Sequence, residues 1–410
     1  MNTAAPALLA LVLVCSLPAM TLVAASPGAN TGTETYASET TALETTPHDN
    51  GSFLEVEGTT NRLMISDENE RTHISPTRDF STAVASADDE LRVDVHRFAF
   101  EQTFDDTINH EARGELIDSY LELIHDRVET LNEREEAAVR AHANGQITDG
   151  ELTRVLVRNY HEANELERFH GELSVYSDRV SGYEFSGGFM TAHKIATHQS
   201  DARAELANAA TYGYDLSVTV ETHVDGYRLS MVTGNTYLHE VARFDLRDPD
   251  GESQFDSIDA AADHASERYP WAMSTRTSYA SSATAGDHLF LTEMSHDHGE
   301  LYAYTDGATE EVTREHQLLY VSRLPSEPAH GSWNNESLEI TLNRTPAHGP
   351  AEVTVTDRET GDPVQATISV EGHVVGETDE DGVLWIAPPI GSYELVAETE
   401  DRRVVATPSR

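Results

Sequence analysis

"GELIDSYLELIHDRVETLNEREEAAVRAHANGQITDGELTRVL", residues 114–156, decides how the chain is read. Its apolar side chains fall at Ile117, Leu121, Ile124, Val128, Leu131 and, past Glu135, Ala138. Steps of four and three place one seam along a helix, as in a coiled coil or helical hairpin. Asn144-Gly145 then breaks the pattern, and a glycine there suits a left-handed helix end. Thr148 and Glu151 have the spacing of a capping box, which starts a second helix. That helix carries Leu152, Leu156, Ala163, Leu166, Leu173 and Val180 on one face. The short connection predicts that the two helices pack antiparallel.

Working outward, the helical pattern covers 79–212, with a third helix from about Met190 to Ala210 after "SGYEFSGG". Residues 213–345 change character. "YDLSVTVETHV", "GYRLSMVTG", "HLFLTEMS", "ELYAYTDG" and "HQLLYVSRL" read as strands, and "SIDAAADHASERY" as a helix, which predicts an α+β domain with an antiparallel sheet. "RTPAHGP", Arg344–Pro350, marks a linker, and 351–410 alternates as a small β-sandwich. Upstream, "FLEVEGTTNRLMIS" holds two short strand-like pieces within 51–78, expected to join a later sheet. The fold class expected is therefore multidomain α+β: a helical hairpin, an α+β domain and a C-terminal β-sandwich.

The chain has 410 residues, with 72 acids against 27 bases and a formal net charge of −45. Lys194 is its single lysine. The acids run through every segment, so this is not an acidic tail. Such a chain repels itself in dilute buffer, and at molar salt the Debye length of ~3 Å screens that repulsion. The composition resembles that of proteins from extreme halophiles, haloarchaea above all. No basic patch is available to neutralise phosphates, so nucleic acid is not an expected partner.

Residues 1–25 contain an apolar run from Ala4 to Ala25, with Val23 and Ala25 suited to a signal-peptidase site. We expect a cleaved signal peptide; an uncleaved N-terminal membrane anchor is the alternative. Residues 26–50 read as a flexible Thr-rich linker. Cys15 lies inside the apolar run, so a chain cut after Ala25 holds no cysteine and no disulfide. Asn50, Asn335 and Asn343 stand in glycosylation sequons. The expected location is extracellular or at the cell surface.

"TGDPV", "GETDEDGVLWI" and "GSYELVAE" in the last 60 residues resemble the carboxypeptidase regulatory-like, or transthyretin-like, β-sandwich. That resemblance implies an accessory module without catalytic residues. Alternation puts Val353, Val355, Ala366, Ile368, Val370, Leu384, Ile386, Tyr393, Leu395 and Val396 or Ala397 inward. "HGELYAYTDGATEEVTREHQ" loosely resembles a PepSY-type hairpin. "TTNRLMIS", "ANGQIT" and "ERYPW" resemble secreted haloarchaeal proteins of uncharacterised function, which implies a compartment and an architecture but no activity.

Candidate sites are sparse. His110, His161 and His239 each open a His-Glu pair that suggests a zinc helix, but none has the second histidine at i+4. No GxSxG, P-loop or GxGxxG is present. "SHDHGE" gathers His296, Asp297, His298 and Glu300, a conceivable metal set that reads better as a polar turn. Glu377, Asp379 and Asp381 beside Gly382 lack the spacing of a calcium loop and read as a hairpin turn. His193 and His198 read as unrelated, and Trp271, Trp333 and Trp385 as core or interdomain contacts. No catalytic, cofactor-binding or metal residue is assigned, and no cofactor is expected. The sequence thus predicts an exported, non-enzymatic surface or secreted protein with a structural, adhesive or binding role toward an unknown surface or extracellular ligand. The alternative is an extracytoplasmic enzyme or protease-regulating protein with its site in the α+β domain.

Overall fold

A computed structural model describes residues 53–65, 70–76, 80–185, 188–283, 288–326 and 331–409. The expected signal peptide and Thr-rich linker, Cys15 and the Asn50 sequon lie outside the described residues.

Three long helices form the first layer: α1 (Phe80–Asp106), α2 (His110–Ala143) and α3 (Asp149–Ser177). All six predicted seam residues of α2 and all six of its partner face are buried. The connection is built as its residues dictate. Gly145 takes φ +65°, and Thr148 accepts from the Glu151 amide while Glu151 accepts from Thr148. Inside the layer, Asp89 of α1 and Glu162 of α3 are buried and held by Arg127, Arg134 and Arg158. The expected third helix is two, α4 (Gly188–Ala196) and α5 (Asp201–Tyr212). Ser200 accepts from the Arg203 amide and caps a new start, which breaks the run.

The second layer is one antiparallel sheet. Its strands are β3 (Glu70–Ile74), β4 (Val218–His223), β5 (Gly226–Thr233), β6 (Thr236–Arg243), β7 (Arg276–Ala283), β8 (Leu289–His296), β9 (Gly299–Asp306) and β10 (Val312–Tyr320). They lie in the order β3-β4-β5-β6-β10-β9-β8-β7. The early pieces β1 (Phe53–Leu54) and β2 (Arg62–Leu63) pair with each other rather than with this sheet. The strand that does join it is β3, further along. Two helices, α6 (Ile258–Arg268) and α7 (Pro270–Ser274), precede β7.

The third part is a sandwich of two four-stranded sheets, and it starts earlier than expected. β11 (Gly331–Asn334) and β12 (Leu338–Arg344) pair with β13 (Ala351–Asp357) and β16 (Val383–Ile386). β14 (Thr367–Val370), β15 (His373–Glu377), β17 (Leu395–Glu398) and β18 (Arg403–Ala406) form the opposing sheet. Leu338, Ile340 and Leu342 share one core with Val353, Val355, Ile368 and Leu395. Arg344–Pro350 is therefore a turn inside the sandwich, not a boundary at 351. Ala397, rather than Val396, enters that core.

Candidate functional site

The sheet face under the helices carries charge where an apolar core is usual. Glu135 occupies a seam position of α2, and its carboxylate meets Arg203 Nη2 and Arg314 Nη2, each at 2.7 Å. Glu240 of β6 accepts from Arg203 Nε at 2.9 Å and Arg314 Nη1 at 3.1 Å. Tyr227 donates to both carboxylates, and Ser200 to Glu240. His198 bridges Glu135 at 3.1 Å and Asn132 at 2.9 Å. All of these but Asn132 are buried. Burial alone raises a carboxyl pKa, yet the two guanidiniums hold Glu135 well below its usual range and Glu240 down at about 2. Burial likewise pushes His198 down to about 4, so it stays neutral. Two carboxylates against two guanidiniums balance, which is the condition for keeping such charges dry.

Beside this network lies a cavity of about 280 Å³. Glu129, Glu133 and Glu136 of α2 line it, together with Lys194, Arg243, Arg247 and Arg314. Lys194 is buried, with Nζ 3.2 Å from His125 Nε2 and 3.4 Å from Glu129. Arg243 and Arg247 are steadied by Asp245 and Asp306. The chain's one lysine and three of its arginines thus gather at a single opening in an acidic protein.

The opposite sheet face is covered by the segment around β2 and by the C-terminal sandwich. Thr59 to Ile65, including all of "TTNRLMI", is buried. Glu315 of β10 accepts from the Leu63 amide at 3.0 Å and Tyr269 Oη at 2.6 Å. Burial outweighs these donors and pushes the Glu315 carboxyl up to about 7. Arg62 donates to Ala347 O at 2.8 Å, and the Ile390 amide to Glu221 at 2.9 Å, so the sandwich is hydrogen-bonded onto this face. Trp385 packs there against the Tyr237, Leu319 and Val321 cluster, the interdomain contact expected of it.

One arrangement has the connectivity of a nucleophile–base–acid set. Thr222 Oγ1 lies 2.7 Å from His142 Nδ1, and His142 Nε2 lies 2.9 Å from Asp149. Thr222 is 0% exposed, so its hydroxyl meets no solvent-borne substrate.

The model of the domain of unknown function DUF7096 matches residues 1–215, more than half the chain. The chain belongs to the DUF7096 family. Two further matches follow: a family of unknown function, DUF7094, over 218–325, and an archaeal fibronectin-III type-like domain over 329–406. No curated protein and no solved structure matches. The C-terminal sandwich is thus matched as an archaeal fibronectin-III type-like module, and its matched start at 329 agrees with the strands that precede 351.

The DUF7096 portion supplies Glu129, Glu135, Lys194 and Arg203; Tyr227, Glu240 and Arg314 come from the segment after it. The candidate site residues singled out in the sequence lie elsewhere, except His198; the single lysine, Lys194, lines the cavity. His296 and His298 both pack on Trp271, with ring centroids 5.5 and 4.2 Å away, and His298 meets Thr59 at 3.2 Å. Among the described residues no group of histidine, cysteine and carboxylate side chains is placed to hold a metal. Asp379 accepts from the Asp381 and Val383 amides, an Asx turn completed by Gly382 at φ +73°. A Cβ at Gly382 would lie 2.5 Å from Val355 O. His239 stands on β6, not on a helix. His193 meets Ser282 at 2.9 Å, apart from His198. His110 accepts from the Ser181 amide at the start of α2, and His161 lies on α3. Trp333 packs at the sandwich core. Sequon residues Asn335 and Asn343 donate to Arg403 O and Glu352. No helix among the described residues is long and apolar enough to cross a membrane.

Proposed function

We propose that this DUF7096 chain is an exported, non-enzymatic binding component of a halophilic archaeon's surface. Its ligand is a small molecule carrying both signs of charge, taken in the cavity beside Lys194. The observation that carries this reading is the mixed charge of that cavity, which is lined by three glutamates together with one lysine and three arginines. Cations so placed in a chain of net charge −45 are a local exception to its composition. Arg314 is fixed from behind by Glu135 and Glu240, so the rim is preorganised and binding loses less side-chain entropy. The fibronectin-III type-like sandwich and the Thr-rich stretch after the expected signal fit a surface-displayed module. Titration calorimetry of the full chain in molar salt, with amino acids and dipeptides as probes, tests the site. Saturable binding that weakens at least about tenfold in Lys194→Met is expected. Absence of saturable binding by every probe overturns the reading.

One observation favours a second reading, an extracytoplasmic enzyme. Lys194, His125 and Glu129 make an ammonium–imidazole–carboxylate group at the cavity edge. Chromatography of dipeptides left with the protein separates the two, because turnover belongs only to the enzyme.

A further inference from the structure

Helix α1 is apolar on two opposite sides. Val93 and Phe100 are buried against the helical layer, where Phe100 packs on Phe169 and Tyr176. On the other side Phe80, Val84, Leu91, Val95 and Phe98 are 51–83% exposed, and Ala87 is exposed among them. At 3.6 residues per turn these six positions fall within about 80° of arc, one stripe along a helix roughly 40 Å long. Single exposed apolar residues need no explanation; a continuous stripe does.

Five of the six stripe positions are symmetric about Leu91; Phe80, eleven positions before it, comes opposite Gln102. Val84 and Phe98 each lie seven positions from Leu91, and Ala87 and Val95 each lie four. Such a pattern is self-complementary only under a two-fold axis through Leu91 that reverses the helix. Phe98 then faces Val84 of the other copy and Val95 faces Ala87, large against small, which fills the seam without overpacking. On one flank Asp88 and Arg92, ion-paired within the helix at 2.8 Å, come opposite the same pair reversed. On the other flank Glu90 and Asp94 come opposite each other, a repulsion that molar salt screens.

We propose that α1 pairs antiparallel with α1 of a second copy, centred on Leu91. The occupant is another copy because the stripe from Val84 to Phe98 matches its own reversal.

Sedimentation velocity of the full chain in molar salt, in a Cys15→Ser background, is the test. A concentration-dependent dimer is expected. Leu91→Asp places two like charges on the axis and should raise the dimer midpoint at least about a hundredfold. Circular dichroism should stay unchanged, because Leu91 is exposed. Geometry is read by single cysteines. Leu91→Cys should oxidise to a covalent dimer. Val84→Cys alone should not, because its two copies lie about 21 Å apart along the axis, against the roughly 6 Å a disulfide spans. A monomer at all concentrations overturns the proposal, as does equal cross-linking of Val84→Cys and Leu91→Cys, which marks a parallel pair. A dimer lost when the chain starts at Ser26 overturns it in favour of the N-terminal apolar segment. A monomer that sediments with liposomes overturns it in favour of a lipid surface.

Discussion

Arg314 and Glu135 stand 179 residues apart in sequence and meet at 2.7 Å, both buried, one on the sheet and one on the helix above it. The contact crosses the boundary between the two family matches, which fall at 1–215 and 218–325. Arg203 and Glu240 cross it too, and β3 from the first match completes the sheet of the second. Leu152, Leu156 and Leu206 share one core with Val218, Val220 and Leu229. The described residues of the two matches form one folded unit.

Breaking that weld should therefore be costly. Arg314→Met leaves Glu135 and Glu240 buried against Arg203 alone, and a loss of about 3–5 kcal/mol is expected. Adding Glu135→Gln removes the surplus charge, so the double variant should lose less than the sum of the singles. Chemical unfolding in molar salt, followed by circular dichroism, measures both. A cost near zero for Arg314→Met would mean the network is not closed.

The α2–α3 seam gives a packing test. Leu166 is buried on α3, and Leu166→Ala should cost about 2–5 kcal/mol. Val175 lies on the same helix but is exposed, and Val175→Ala should stay within about 0.5 kcal/mol. Equal costs would remove the assigned face.

This seam was legible because its period is local and its cap is spelled out by Thr148 and Glu151. β6 was not. Tyr237 to Ala242 are buried on both faces, so the strand lacks polar–apolar alternation and "HEVAR" reads as a helix. The break between α4 and α5 was written in Ser200-Asp201, a cap inside the stretch read as one helix. The sandwich edge was hidden by "RTPAHGP", whose turn residues suit a hairpin as well as a linker. Of the site, Glu135 left a trace as a carboxylate on an apolar seam and Lys194 as the single lysine, while His198 was read as unrelated to any site. Arg203, Glu240 and Arg314 join it through the sheet register, which no local pattern encodes.

Glu315 sets a pH dependence of opposite sense to an ordinary carboxylate. Its folded pKa, about 7, lies above the ordinary value of about 4.5 for a carboxyl in the unfolded chain. The folded state thus holds the proton longer, and the stability this gives is full below about pH 4.5 and lost as pH rises through 7. Glu315→Gln removes the titration. The wild type should therefore lose stability relative to this variant between pH 5 and 7.5, by up to roughly 3 kcal/mol. Parallel melting curves across that range would contradict a raised carboxyl.

A net charge of −45 makes folding salt-dependent. Lowering salt from molar to 0.1 M lengthens the Debye length from ~3 to ~10 Å and restores repulsion among the acids. Helix signal should fall across that range. An unchanged spectrum would defeat the halophilic reading.

An exported binding protein is tested most directly by fractionating cells that express the full chain and sequencing its mature N-terminus by mass spectrometry. A chain starting at Ser26, recovered from the medium or the cell surface, is expected. An intact chain beginning at Met1, recovered from the cytosol, would contradict export.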